Sequence, residues 1–174
     1  MIVFRHADPR FPFLWETADQ PPARWHSEGE GPAHYFSATP DGAWAEFLRH
    51  EAITDPADLA GVARSIWAIE LTGAPRATPS LPDAVLLGGE SSYAECRQEA
   101  RRLRAQGARG LMAPSAAVDA TTPSGFRTES GLRPGPSRSE RVFVLFGARS
   151  DLVGWAACGE GRPRDDLLAR VRPL

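Results

Sequence analysis

The chain has 174 residues, 42% of them hydrophobic and 24% charged, which suits one domain with its own core and excludes two independent ones of ordinary size. A formal charge of -2 and a pI near 6.1 exclude recognition of nucleic acid or an anionic membrane through the bulk field of the surface, so an anionic ligand has to be met locally. All 20 basic residues are arginine, which excludes Schiff-base chemistry, a Walker-type phosphate lysine and a Ser-Lys dyad, since each needs a side-chain amine.

Ile2-Val3-Phe4-Arg5 reads as a first strand, and Pro9, Pro12, Pro21 and Pro22 make residues 8–32 a long irregular loop. Its aromatics, Phe11, Phe13, Trp15 and Trp25, have to pack on something, so the loop is expected to lie over a core edge or a cleft. A turn at Gly29 and Gly31 leads to a short strand, His34–Ser37. Thr39-Pro40-Asp41 then supplies the cap and first-turn proline of a helix running to about Ile53. Ala43, Phe47 and Leu48 form its apolar stripe, with Trp44 and Glu46 beside it.

Further along, 58–64 is expected as a short helix, 66–71 as a strand and 83–87 as a short strand. Ser91-Ser92-Tyr93 opens a helix that stops at Gly107 and carries Arg101, Arg102 and Arg104 on what should be an exposed face. A strand over 110–113 ends at Pro114-Ser115, and 141–146 is a second, more continuous apolar strand. Between them, 120–140 is rich in Gly, Pro, Ser and Thr and reads as a mobile excursion or an irregular hairpin. A last strand at 153–158 and a helix at 165–171 complete the chain. No repeat or boundary divides it, so 1–174 is expected to form a single domain.

Cys96 and Cys158 are too few for a disulfide framework, lie in no C-x-x-C or Cys/His cluster, and read as reduced thiols. His6, His26, His34 and His50 form no metal-binding pattern, so no metal site is expected. No stretch reaches the roughly 18 apolar residues of a membrane span, and MIVFRHADPR lacks an apolar core of signal-peptide length, so a cytoplasmic protein with no membrane contact is expected. G-x-S-x-G, H-E-x-x-H, G-x-G-x-x-G and P-loop motifs are missing from the sequence.

One run stands out: Arg24, Tyr35 eleven residues later, and Glu46 eleven later again. Joined to Arg5 on the first strand and to the Gly29/Gly31 turn, the segments Ala23-Arg24-Trp25, Tyr35-Phe36-Ser37 and Ala43-Trp44-Ala45-Glu46 resemble the RES domain family, named for an Arg, a Glu and a Ser. Arg24 and Glu46 match the first two, and Ser115, closing Gly110-Leu111-Met112-Ala113-Pro114-Ser115, looks like the third. The resemblance runs from Arg5 to about Phe146. It departs from the family at His6, where a Tyr commonly follows the first Arg; the aromatic contact to the cofactor would there be weaker or replaced by a polar one.

The resemblance implies an α+β fold: a single compact domain with a central mixed or antiparallel sheet flanked by a few helices, similar to ADP-ribosyltransferase toxins. It also implies NAD+ as substrate with no prosthetic cofactor, and an Xre-type helix-turn-helix antitoxin as partner; any operator binding would belong to that partner, and a homo-oligomer is compatible with the pattern. Arg5 and Arg24 can meet a dianionic pyrophosphate bidentately at constant charge, with surface salt bridges as the alternative. Glu46 can stabilise the cationic sugar left when the nicotinamide–ribose bond breaks, or be a solvated helix carboxylate paired with Arg49 at i+3. Tyr35 is expected at the nicotinamide–ribose end, or else as a half-buried sheet aromatic, His6 as a contact to the cofactor, and Ser115 as a donor to phosphate or ribose, or else a turn-forming serine; no His is spaced to make Ser115 a nucleophile. Three functions stay open: NAD+ cleavage with water or phosphate as acceptor, ADP-ribosyl transfer to a protein, and a catalytically silent nucleotide-binding module.

Overall fold

The computed structural model describes residues 1–73, 75, 77–119 and 125–174. In chain order these form β1 (Ile2–Ala7), β2 (Ala33–Ser37), α1 (Pro40–His50), a 3-10 turn (Pro56–Gly61) and β3 (Arg64–Glu70). There follow α2 (Asp83–Leu86), a 3-10 turn (Glu90–Ser92), α3 (Tyr93–Ala105), β4 (Gly110–Pro114), β5 (Phe126–Thr128), β6 (Leu132–Pro134), β7 (Arg141–Phe146), β8 (Val153–Gly161) and α4 (Asp165–Leu168).

Local signals set most of these bounds. Thr39 caps α1, its hydroxyl accepting from the Gly42 N–H at 3.0 Å with Pro40 in the first turn, and Ala52 at φ 51° turns the chain away after His50. Gly107, at φ 87°, ends α3 in the same way. Segment 83–87, expected as a strand, is instead the one-turn helix α2. Pro82 enters it in an extended conformation, Asp83 suits its positive end, and Leu87 N–H closes the turn on Asp83 O at 2.8 Å. The expected helix at 58–64 is a 3-10 turn capped by Asp55, and Arg64 already belongs to β3. The terminal helix is shorter than expected because Val171 leaves it to bridge Val118. Within 120–140, residues 120–124 lie outside the described residues, while β5 and β6 form the irregular hairpin.

The main sheet has the order β4-β7-β2-β1-β3-β8, and each of its pairings is antiparallel. On one face, Ala43, Trp44, Phe47 and Leu48 of α1 pack with Ile66, Leu59 and Leu167, while Cys96, Ala100 and Leu103 of α3 pack on Leu111, Ala113, Val142 and Val144. On the other, Val3, Phe36, Ile69 and Phe143 are covered by the 8–32 loop through Phe13 and Leu14. Each fully buried large side chain contributes about 1.5–3 kcal/mol. The loop aromatics divide: Trp25 is buried and Phe13 lies 5.0 Å from the Trp67 ring, whereas Phe11 and Trp15 stay exposed. The basic face of α3 divides too, since the Arg104 guanidinium sits 4.0 Å over the Phe146 ring.

One pairing is much shorter than its neighbours. β1 runs beside β3 from Ile2 opposite Glu70 to Ala7 opposite Ser65, and β2 beside β7 from Ala33 opposite Phe146 to Ser37 opposite Val142. Between β1 and β2 the register holds only at Phe4 opposite Ser37. The sheet therefore parts into two halves at its centre, one backed by α1 and the other by α3.

Candidate active site at the split of the sheet

Where β1 and β2 part, a cavity of about 230 Å³ opens. β1 contributes Arg5 and His6, β2 Tyr35 and Phe36, α1 Glu46 and Arg49, α3 Tyr93, and the long loop Arg24. The volume is below the ~300–1,000 Å³ usual for a small-molecule pocket, enough for a ring and a sugar but not for a whole dinucleotide.

Glu46 faces this cavity from the middle of α1. Its Oε1 accepts from Ser115 Oγ at 3.0 Å, and Ser115 Oγ accepts in turn from Ala117 N–H at 3.1 Å. Burial pushes the Glu46 carboxyl above its usual range, against the Ser115 hydrogen bond and the fields of Arg49, Arg24 and His50. Ser115 itself is not part of the cavity wall; its neighbours Pro114 and Ala116 are, and Ser115 opens on a second cavity with Arg141 and Arg172. Its hydroxyl thus acts behind Glu46.

Arg49 does not take up the i+3 pairing with Glu46. Its Nη2 donates to Gly88 O at 2.9 Å and its Nε to Pro173 O at 3.2 Å, which ties the 172–174 segment to the turn after α2. Gly88 O also accepts from Arg24 Nη2 at 2.5 Å, so two guanidinium groups share one carbonyl. Arg24 Nη1 is directed at Val85 O, Leu86 O and Ser92 Oγ at 3.3, 3.3 and 3.1 Å, and the guanidinium stacks 4.6 Å from the Tyr93 ring. Arg24 therefore satisfies the open carbonyls at the end of α2 while lining the cavity.

Arg5 sits in the split itself. The residue is half-buried, its guanidinium 6.0 Å from the Phe36 ring, and its Nη1 is buried with no partner among the described residues. Burial lowers its pKa to about 10, so it stays cationic at neutral pH with a donor unspent. The Tyr35 ring lines the cavity, but its hydroxyl accepts from Trp25 N–H at 3.0 Å and lies 2.9 Å from His26 Nδ1, so it fastens the Arg24 loop to β2. His6, beside Arg5, is held by burial and by the charges of Arg64, Arg5 and His50 at a pKa of about 3, and so is neutral.

The candidates Arg5, His6, Arg24, Tyr35 and Glu46 thus converge on one cavity, with Ser115 one hydrogen bond behind it. Arg49, Tyr93 and Gly88 were not among the sequence candidates for the site. Arg49 was legible, since i+3 from Glu46 puts it on the same helical face, whereas Gly88 and Tyr93 arrive only through tertiary folding.

Fold and site together define an α+β domain whose antiparallel sheet splits around a cavity lined by Glu46 and by Arg5, Arg24 and Arg49. The chain belongs to the RES domain family, whose model matches residues 2–125. In overall fold it is similar to a chain of the M. tuberculosis MbcT-MbcA toxin-antitoxin complex, with a TM-score of 0.60, 14% sequence identity, and coverage of 97% of this chain and 86% of that one. A search of curated proteins gave no match. Among the described residues, no helix is long and apolar enough to cross a membrane.

Proposed function

We propose that this chain binds NAD+ at the split and cleaves its nicotinamide–ribose bond, acting as a toxin that arrests growth by depleting the cofactor. The observation that carries this reading is the Glu46 carboxylate, fixed by Ser115 inside a cavity whose walls bring Arg5, Arg24 and Arg49. When the C–N bond breaks, nicotinamide leaves neutral with the bonding pair and C1′ of the ribose becomes an oxocarbenium-like cation. A carboxylate held in place beforehand stabilises that charge without reorganising as it develops. Water or phosphate then adds through oxygen at C1′ and loses a proton.

Arg5, with its unspent Nη1, and Arg24 are the pyrophosphate ligands in this reading. Because the cavity holds only half a dinucleotide, the adenosine half lies outside it in this reading. An antitoxin with a helix-turn-helix domain, covering the cavity mouth, is the partner we infer, and co-purification with the product of an adjacent gene tests it.

Incubation with NAD+ and identification of products, comparing the native chain with Glu46→Ala, tests class and site together. Free nicotinamide with ADP-ribose or a ribose phosphate, lost in the variant, is the expected result. Label retained on a protein would replace hydrolysis by transfer. Intact NAD+ after long incubation of folded protein would overturn catalysis.

A further inference from the structure

We propose that His6 is a fixed hydrogen-bond donor of the cavity, presenting Nε2–H to the carbonyl oxygen of the nicotinamide carboxamide, and that Arg64, braced by Asp8, sets this polarity. The proposal rests on the NAD+ reading for its ligand, while the state of His6 follows from the protein alone.

Arg64 Nη2 lies 3.4 Å from His6 Nδ1. A guanidinium has only donors, so Nδ1 accepts, and a neutral imidazole that accepts at Nδ1 carries its proton at Nε2. Arg64 is itself restrained: its Nη1 is 3.7 Å from Asp8 Oδ2 and its guanidinium 5.1 Å over the Phe47 ring. The same ring meets His6 edge-on at 5.3 Å, so Phe47 orients both partners. Asp8 is kept ionised by the Arg10 side chain, whose Nε and Nη2 donate to its two oxygens at 3.0 and 2.9 Å.

The remaining nitrogen, Nε2, has no partner among the described residues, while His6 keeps partial exposure and lines the cavity. Burial together with Arg64, Arg5 and His50 keeps a second proton off the ring, so the donor is single and its direction constant. A lone neutral donor of this kind matches a carbonyl acceptor and rewards an acceptor of full strength. Arg64 is a positioning residue in this scheme, and His6 the one that touches the ligand.

The test has two parts. Protein with 15N-labelled histidine is examined by two-bond 1H–15N correlation at pH 7, and NAD+, its 3-acetylpyridine analogue and its thionicotinamide analogue are then titrated. His6 should show the Nε2–H tautomer in the native chain and a tautomer mixture in Arg64→Met. NAD+ and the acetylpyridine analogue, which keep a carbonyl oxygen, should shift Nε2 and bind within about threefold of each other, while the thio analogue, a weaker acceptor, should bind about tenfold more weakly. That difference should vanish in His6→Phe and return in His6→Gln, whose amide N–H reaches the place of Nε2, with KM moving more than kcat.

An Nδ1–H or doubly protonated His6 would overturn the proposal whatever the fate of NAD+. Cleavage of NAD+ with an unmoved Nε2 signal would overturn the ligand assignment and leave the functional reading standing. Absence of both binding and product would sink the functional reading, and the ligand assignment with it.

Discussion

Ser115 Oγ and Glu46 Oε1, 3.0 Å apart, join the end of β4 to the middle of α1 across 69 residues of sequence. The bond favours the charged carboxylate and so opposes the upward push of burial. In Ser115→Ala the acidic limb of NAD+ cleavage should move to higher pH, and kcat/KM at neutral pH should fall about tenfold. The orphaned Ala117 N–H should cost about 1–3 kcal/mol in denaturant unfolding.

Glu46→Gln keeps the shape of the side chain and removes its charge. Loss of the stabilising carboxylate should lower kcat by about 10²–10³, read from nicotinamide release, with NAD+ binding retained. Because the folded-state pKa of Glu46 is raised, its contribution favours folding at low pH and is lost as pH rises through that value. The variant should therefore unfold at the same or a higher denaturant concentration than the native chain at pH 8.

His6 carries the opposite sign. Its folded-state pKa is lowered to about 3 from 6.5, so the stability it contributes is complete above pH 6.5 and drains away as pH falls toward 3. His6→Phe should lose less stability than the native chain over that window. Unfolding midpoints of the two proteins, measured in parallel, isolate the difference from titrating carboxylates.

The Tyr35 hydroxyl serves two groups of the loop that carries Arg24. In Tyr35→Phe, Trp25 N–H and His26 Nδ1 lose their shared partner. A destabilisation of about 1–3 kcal/mol is expected, together with a raised KM for NAD+ as Arg24 loses its anchor.

A methyl group at Gly110 would press on the backbone carbonyl of Val144, in the neighbouring strand, and on Leu145. Backbone cannot yield as a side-chain tip can, so Gly110→Ala should cost about 1–3 kcal/mol. Gly159→Ala, on β8, meets open space and should stay within about 0.5 kcal/mol. Thermal or denaturant midpoints compare the pair.

Strands and long helices were legible wherever a local signal coincided with a periodic apolar pattern, as for Thr39-Pro40 before α1 and Gly107 after α3. α2 was not, because four residues are too short for a period to show and its identity depends on Arg24 satisfying the carbonyls at its end. Spacing and motif brought out Arg5, Arg24, Tyr35 and Glu46 as a set, and the structure gathers them around one cavity. What each atom does there is a tertiary matter. The Tyr35 hydroxyl turns to the loop, Arg49 bypasses Glu46, and Ser115 stands behind the carboxylate, none of which residue order can encode.

The main sheet is stitched at its centre by the single Phe4–Ser37 register, so the seam between its halves has the fewest strand-to-strand pairs in that sheet. A ligand touching Arg5 and His6 on one side and Tyr35 on the other would work as a rivet across that seam. Its mark would be selective slowing of amide exchange along 5–7 and 33–36, with the outer strands β4 and β8 unchanged.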